Sequence, residues 1–342
     1  MNEQLTTTTH VQESQWRHFV EQHPQGNIFQ TPEMAQLFAS VRQYQPITLF
    51  ATLGEQTLLG VLLGVIQKEQ LGPLAMLSAR TVIWGGPLIL ENPPIAASTI
   101  LDALLQSLVE AVKSKSVYIQ FRNHFDLQPF REQFQAWGFD YQDHLNYLID
   151  TSDPAQVRRN LSQSKWRQIQ KSLKAGCQII EPQQIEPVEQ FYEILHRLYV
   201  TKVKRPLPGW PFFEDFFRNS LENRLGKYFL IEYQGRIAGG IMCPITPQRT
   251  IYEWYVCGQD QDEAHIYPSV LATWAPIEYA ARHGLKCFDF LGAGKPDQDY
   301  GVREFKARFG GQQVNYGRFQ RINHPTLYEM GKLALRVSGK LK

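Results

Sequence analysis

The densest run of chemically capable residues is Phe288-Asp-Phe-Leu-Gly-Ala-Gly-Lys-Pro-Asp-Gln-Asp-Tyr-Gly-Val-Arg-Glu-Phe-Lys-Ala-Arg-Phe-Gly-Gly311. It reads as an aromatic strand, a glycine-rich loop and a short helix. Asp289 interrupts the strand with a carboxylate, which can bind an amine or take a proton; an edge or capping role fits the same spacing. Ligands of α/β folds gather at the carboxyl ends of strands. Gly292, Lys295, Arg303 and Arg308 are therefore candidate substrate contacts, and Lys306 is a candidate charge at the reacting centre. The plain alternative places Lys306 in solvent on a surface helix. The loop lacks the GxxxxGK[ST] spacing of a nucleotide cradle, and Pro296 removes a donor, so a nucleoside triphosphate site is not expected.

Other segments offer weaker chemistry. Residues 155–175 form a basic helix carrying Arg158, Arg159, Lys165, Arg167, Lys171 and Lys174 without one acid. Such a face binds anions or is simply solvated. Tyr252-Glu-Trp-Tyr-Val256 is an aromatic strand, mostly core, with the Tyr255 hydroxyl available as a donor. The histidines show no metal-ligand spacing, and no Gly-x-Ser-x-Gly elbow is present. Hydrolase and metalloenzyme readings are poor, and no metal or cofactor is expected.

An internal repeat positions these groups. Arg131-Glu-Gln-Phe-Gln-Ala-Trp-Gly138 aligns with Arg303-Glu-Phe-Lys-Ala-Arg-Phe-Gly310 at an offset of 172 residues. Phe134 stands where Lys306 stands, and Ala136 where Arg308 stands, so the shared ends are architecture and the two cations are specialised. Each copy is preceded by a β-meander (strands near 46–53, 57–67 and 75–85, then near 227–233, 236–245 and 249–258). A helix and strand come next (101–116 with 117–121, then 269–284 with 287–291), and each copy closes on a strand, 141–150 or 312–321. That order gives an α/β fold with mixed sheets in two lobes.

The expected division is 1–151, 152–324 and a basic helical tail at 325–342, with the boundary near Thr151-Ser-Asp-Pro154. The tail is expected to cap the second lobe, with peripheral contact to an anionic membrane as the alternative. At 342 residues, 43% hydrophobic, the chain can bury a core in each lobe. Residues 1–151 hold 8 Lys/Arg and 14 Asp/Glu, net −6, and the remainder 27 and 19, net +8, so the second half suits an anionic partner. The four cysteines are far apart, no secretory signal is visible and no apolar run is long enough to span a membrane. The expected compartment is the cytoplasm, with its inner membrane face as the alternative.

On Phe288-Asp-Phe-Leu-Gly292, the Gly301–Gly311 run, the helix ahead of them, Asn27-Ile-Phe-Gln-Thr-Pro-Glu-Met34 and the Arg167–Gly176 stretch, the sequence resembles the FemABX family. Its members add amino acids to peptidoglycan precursors and have two lobes of the acyl-CoA N-acyltransferase (GNAT) fold. The resemblance implies transfer from an aminoacyl-tRNA to an amine of a UDP-linked or lipid-linked stem peptide. It maps the family's Phe-Lys pair to Phe305 and Lys306, with the lysine stabilising a tetrahedral oxyanion. A fixed cation aimed at such a charge is typically worth about 3–4 kcal/mol in the transition state. The arginine that grips the precursor diphosphate falls near Arg167, and a cleft tyrosine near Tyr255. Met34 and Gln36 to Ser40 depart from the family's early tryptophan and lysine. An acyl-CoA-dependent N-acyltransferase is the alternative. Its pyrophosphate loop would be Gly258–Pro268, which is acidic and lacks the required glycines. Lys306→Met is expected to preserve folding and remove most transfer.

Overall fold

The computed structural model describes residues 4–54, 57–68, 78–204, 206–260 and 265–337. The chain forms two compact units, residues 1–143 with 316–342, and residues 144–315.

The first unit holds strands β1 (Leu5–Thr8), β2 (Tyr44–Leu53), β3 (Thr57–Gln67), β4 (Arg80–Trp84), β5 (Leu88–Ile89), β6 (Tyr118–Arg122) and β7 (Asp140–Gln142). The second holds β8 (Leu145–Asp150), β9 (Gln178–Ile180), β10 (Gly226–Tyr233), β11 (Arg236–Thr246), β12 (Thr250–Tyr252), β13 (Tyr255–Gly258), β14 (Cys287–Asp289) and β15 (Gln312–Asn315). The last strand, β16 (Arg318–Ile322), returns to the first unit. The strand orders are β1-β2-β3-β4-β6-β16-β7, with β5 beside β3, and β15-β8-β14-β12-β11-β10-β9, with β13 beside β11. Both sheets are mixed: β4 runs parallel to β6 and β12 parallel to β14. The expected two-lobed α/β architecture is thus present.

The helix Ala97–Val112 shows why the first unit packs as it does. Ile100, Leu101, Leu104, Leu105, Leu108, Val109 and Val112 recur at spacings of three and four, and all are buried. Its counterpart Pro268–Arg282 begins on proline and buries residues around most of its circumference.

The sequence reading needs correction at several points. Residues 141–150 and 312–321 are not continuous strands. Each breaks in the middle, and the two pieces pair in different sheets. β8 lies between β14 and β15, and β16 lies between β6 and β7. Gly317 makes the second break with φ +65, and a Cβ there would lie 2.3 Å from the Tyr141 ring. The boundaries expected at 151/152 and 324/325 consequently shift, because each sheet takes a central strand from the other half of the sequence. The tail helix Pro325–Val337 belongs to the first unit rather than capping the second. Tyr328 accepts a hydrogen bond from Gln320 at 3.0 Å and packs edge-on against Tyr118. Five tail residues, 338–342, lie outside the described residues.

The basic helix is also two helices, Pro154–Asn160 and Gln163–Lys174. Leu161 is extended and buried between them, and the Ser162 amide donates to the Arg308 carbonyl at 3.0 Å. Ser162 then caps the second helix through its hydroxyl, accepting from the Lys165 amide at 3.4 Å. No helix among the described residues is long and apolar enough to cross a membrane.

Candidate functional site: a buried charge cluster where two parallel strands part

β12 and β14 pair in parallel up to Tyr252 and Asp289. Beyond that point β13 continues on β11, while the chain after Asp289 turns away at Leu291, whose φ is +55. Four polar side chains are buried at this fork, all within the second unit: Asn146, Glu253, Asp289 and Lys306. Strand parting leaves backbone groups unpaired, and these side chains answer them.

Lys306 is 8% exposed, so the solvated-helix alternative is excluded. Its ammonium donates to the carbonyls of Phe290 and Gly292, each at 2.8 Å, and lies 2.9 Å from Glu253 Oε1. All three ammonium protons therefore have acceptors. Glu253 is 6% exposed and its other oxygen, Oε2, is enclosed without a hydrogen-bond partner. This is an unusual state for a buried carboxylate oxygen. In the first unit the matching residue, Phe134, is fully buried and stacks on Phe319 at 4.0 Å. The same helix position is thus an apolar plug in one unit and a buried cation in the other.

Asp289 is held differently. Oδ1 accepts from Asn146 Nδ2 and from the Leu291 amide, both at 2.6 Å. Asn146 Oδ1 in turn accepts from the Gly292 amide at 2.8 Å. Burial pushes the Asp289 carboxyl up to about 6, against the opposing pull of these hydrogen bonds and the Lys306 charge. Glu253 also joins this group through its backbone, its amide donating to the Asp289 carbonyl at 2.9 Å.

The remaining candidates divide. Gly292 belongs to the cluster through both its amide and its carbonyl. Arg303 folds back on the loop, donating to the carbonyls of Ala293 at 3.0 Å, Pro296 at 3.4 Å and Lys295. It shapes the loop that carries Gly292. Phe305 packs 5.3 Å from Phe309 and lies under the Lys165 ammonium. Arg308, Lys295 and Arg167 are exposed. Tyr255 sits in an aromatic cluster with Phe212, Phe213, Trp254 and Tyr199. Sequence reasoning missed Glu253 and Asn146. Glu253 had a signal, a single acid inside an aromatic strand; Asn146 had none, because its partner lies 143 residues away. Burial raises the thiols of Cys243, Cys257 and Cys287, which leaves none of these three as a thiolate nucleophile at neutral pH.

In the first unit buried amides bridge the antiparallel β3–β4 pair instead. Gln30 is fully buried, donates to the carbonyls of Leu63 at 3.1 Å and Trp84 at 2.7 Å, and accepts from the Leu63 amide at 2.8 Å. Asn27 donates to the Gly85 carbonyl at 2.6 Å. The Asn27-Ile-Phe-Gln30 motif closes backbone valences in this unit.

Comparison with known proteins follows this division. Residues 156–306 match the family model described as an acetyltransferase (GNAT) domain. A sequence search of the curated proteins gives no match. Among solved structures, FemX aligns over 95% of this chain and 99% of its own, with a TM-score of 0.69 at 15% identity. A tandem GNAT protein from the clavulanic acid biosynthesis pathway aligns over 94% and 98%, with a TM-score of 0.56 at 10% identity. L-PGS from Bacillus licheniformis aligns over 79% and 85%, with a TM-score of 0.53 at 11% identity. Residues 156–306, within the second unit, thus match an acetyltransferase (GNAT) domain, and the chain has the tandem GNAT-like fold of FemX, the fold expected from its FemABX-like motifs.

Proposed function

We propose that this protein transfers an aminoacyl group from an aminoacyl-tRNA to an amine of a peptidoglycan-precursor stem peptide in the cytoplasm. The observation that carries the chemistry is the enclosed, unpartnered Oε2 of Glu253 beside a fully bonded Lys306 ammonium. On substrate binding that uncovers Glu253 Oε2, the attacking amine donates a proton to it as the amine nitrogen bonds to the ester carbonyl carbon. Neutralising Glu253 weakens its hold on Lys306. The ammonium then exchanges that contact for the new oxyanion, which it stabilises only after attack. Collapse breaks the ester C–O bond, and the proton passes to the leaving oxygen. The C–N bond that replaces it is the product amide. No covalent enzyme intermediate is required, in keeping with the raised thiols. Asp289, tied to Asn146 and Leu291, fixes the loop that presents the Gly292 carbonyl.

The choice of an RNA ester over acyl-CoA is supported by the start of helix Pro268–Arg282. Asp260 Oδ1 accepts from the Ser269 amide there at 3.1 Å, so a carboxylate occupies an amide that a pyrophosphate would need. Residues 261–264 of the acidic loop lie outside the described residues.

The test is a transfer assay with purified protein, offering charged tRNA and acetyl-CoA in parallel and muropeptide precursors as acceptors. Amide formation from charged tRNA is expected, with Glu253→Gln reduced by roughly 10²–10⁴-fold, the range of general base catalysis. Product from acetyl-CoA alone would replace this reading with the acyl-CoA one.

A further inference from the structure

Lys165, on the helix Gln163–Lys174, is 6% exposed. Its ammonium lies 3.8 Å from the Phe305 ring centroid and 5.4 Å from that of Phe309. Unlike Lys306, it has no hydrogen-bond acceptor and no ion-pair partner among the described residues. The nitrogen is nevertheless not one of the fully enclosed polar atoms, so a ligand can reach it. Burial lowers this group to about 8, the neighbouring Arg308 charge acts in the same direction, and Asp260 opposes them. Asp260 is itself engaged with the Ser269 amide. The Arg308 guanidinium is exposed and makes no side-chain hydrogen bond or ion pair among the described residues.

A buried ammonium with three unfilled donors is costly, and two aromatic faces recover only part of its hydration. A methionine would lie on the same rings without that cost. The arrangement makes sense with an anion in place, and two cations without carboxylate partners suit a phosphate oxyanion. We propose that Lys165 and Arg308 form a receptor for a phosphate group of the acyl donor. The favoured source is an RNA phosphodiester, because Lys171 and Lys174 extend the positive charge along the same helix with no intervening acid. The proposal rests on the acyl-transfer reading. Phe305, the ring beneath Lys165, immediately precedes Lys306, which ties donor anchoring to the reacting centre.

Binding is measured without chemistry, by calorimetry at low and moderate salt, with an uncharged RNA hairpin bearing a single-stranded 3′ end, coenzyme A and inorganic pyrophosphate as probes. Wild type is expected to bind the hairpin. Lys165→Met and Arg308→Gln are each expected to weaken it about tenfold or more, the effect of losing one charged hydrogen bond. The slope of log K against log salt should fall by about one per residue removed. Lys165→Arg should stay near wild type. Lys165→Met should melt at or above the wild-type temperature, so its loss of affinity is not a loss of fold. Binding of coenzyme A or pyrophosphate, but not RNA, with the same dependence on Lys165 sustains the oxyanion receptor and moves its source to acyl-CoA. Lys165→Met binding every probe as wild type does, or wild type binding none, overturns the proposal. Either of the last results leaves the roles of Glu253 and Lys306 to the transfer assay, so the two readings fail separately.

Discussion

At the scale of single residues, Lys306 has become a different object from the one its sequence context suggested. Its ammonium is part of a buried ion pair, and removing one member of such a pair leaves the other uncompensated. Lys306→Met is therefore expected to cost about 3–5 kcal/mol of stability in addition to activity, which replaces the expectation of undisturbed folding. Adding Glu253→Gln should restore much of the denaturation midpoint and none of the transfer. A single variant as stable as wild type would show that the pair is not formed in solution.

Asp289 gives a pH prediction. Its carboxyl titrates near 6 in the fold against 3.8 in an ordinary environment. Between those values the native state keeps a proton that the unfolded chain has released. Stability from this group is thus highest below about pH 4, falls as pH rises through about 6, and is level above it. The full change is on the order of 3 kcal/mol. Asp289→Asn removes the titration, so wild type should lose stability relative to the variant between pH 4 and 6 in urea melts. A difference that stays flat across that window counts against the assignment.

At the scale of elements, both units hold a parallel strand pair, β4–β6 and β12–β14, but only the second buries an ion pair at its end. In the first unit Gln30 stitches Leu63 on β3 to Trp84 on β4 with three hydrogen bonds. Gln30→Ala would orphan these buried backbone groups at about 1–3 kcal/mol each, and a loss of at least about 3 kcal/mol in chemical denaturation is expected. A near-neutral result would mean that water replaces the side chain. The early motif, one of the segments that carry the family resemblance, is explained locally by this backbone pairing. Composition alone could not reveal that, because the groups it satisfies lie 33 and 54 residues away.

At the scale of the whole molecule, the exchange of β8 and β16 makes the two halves of the sequence interdependent. Fragment 1–151 lacks β16, which separates β6 from β7, and fragment 152–342 lacks β8, which separates β14 from β15. Each would lose a central strand and expose two unpaired edges. Neither fragment expressed alone is expected to show a cooperative thermal transition. A sharp melt for either one would show that the borrowed strand is dispensable.

The amino-acid sequence alone determined the repeat, the meanders, the helix with its strand in each half and the prominence of Lys306, because these rest on local periodicity and on one internal alignment. It marked Asp289 and Gly292 as candidates for the same reason, as parts of one continuous strand and loop. Tertiary structure decided where the two closing strands pair, since period-two alternation is the same whichever sheet receives them. It also decided the charges. Whether a lysine is solvated, like Lys295, bonded on three sides, like Lys306, or buried on aromatic rings without an acceptor, like Lys165, depends on burial and on partners distant in sequence, which set the energy of an ion far more than its neighbours along the chain do.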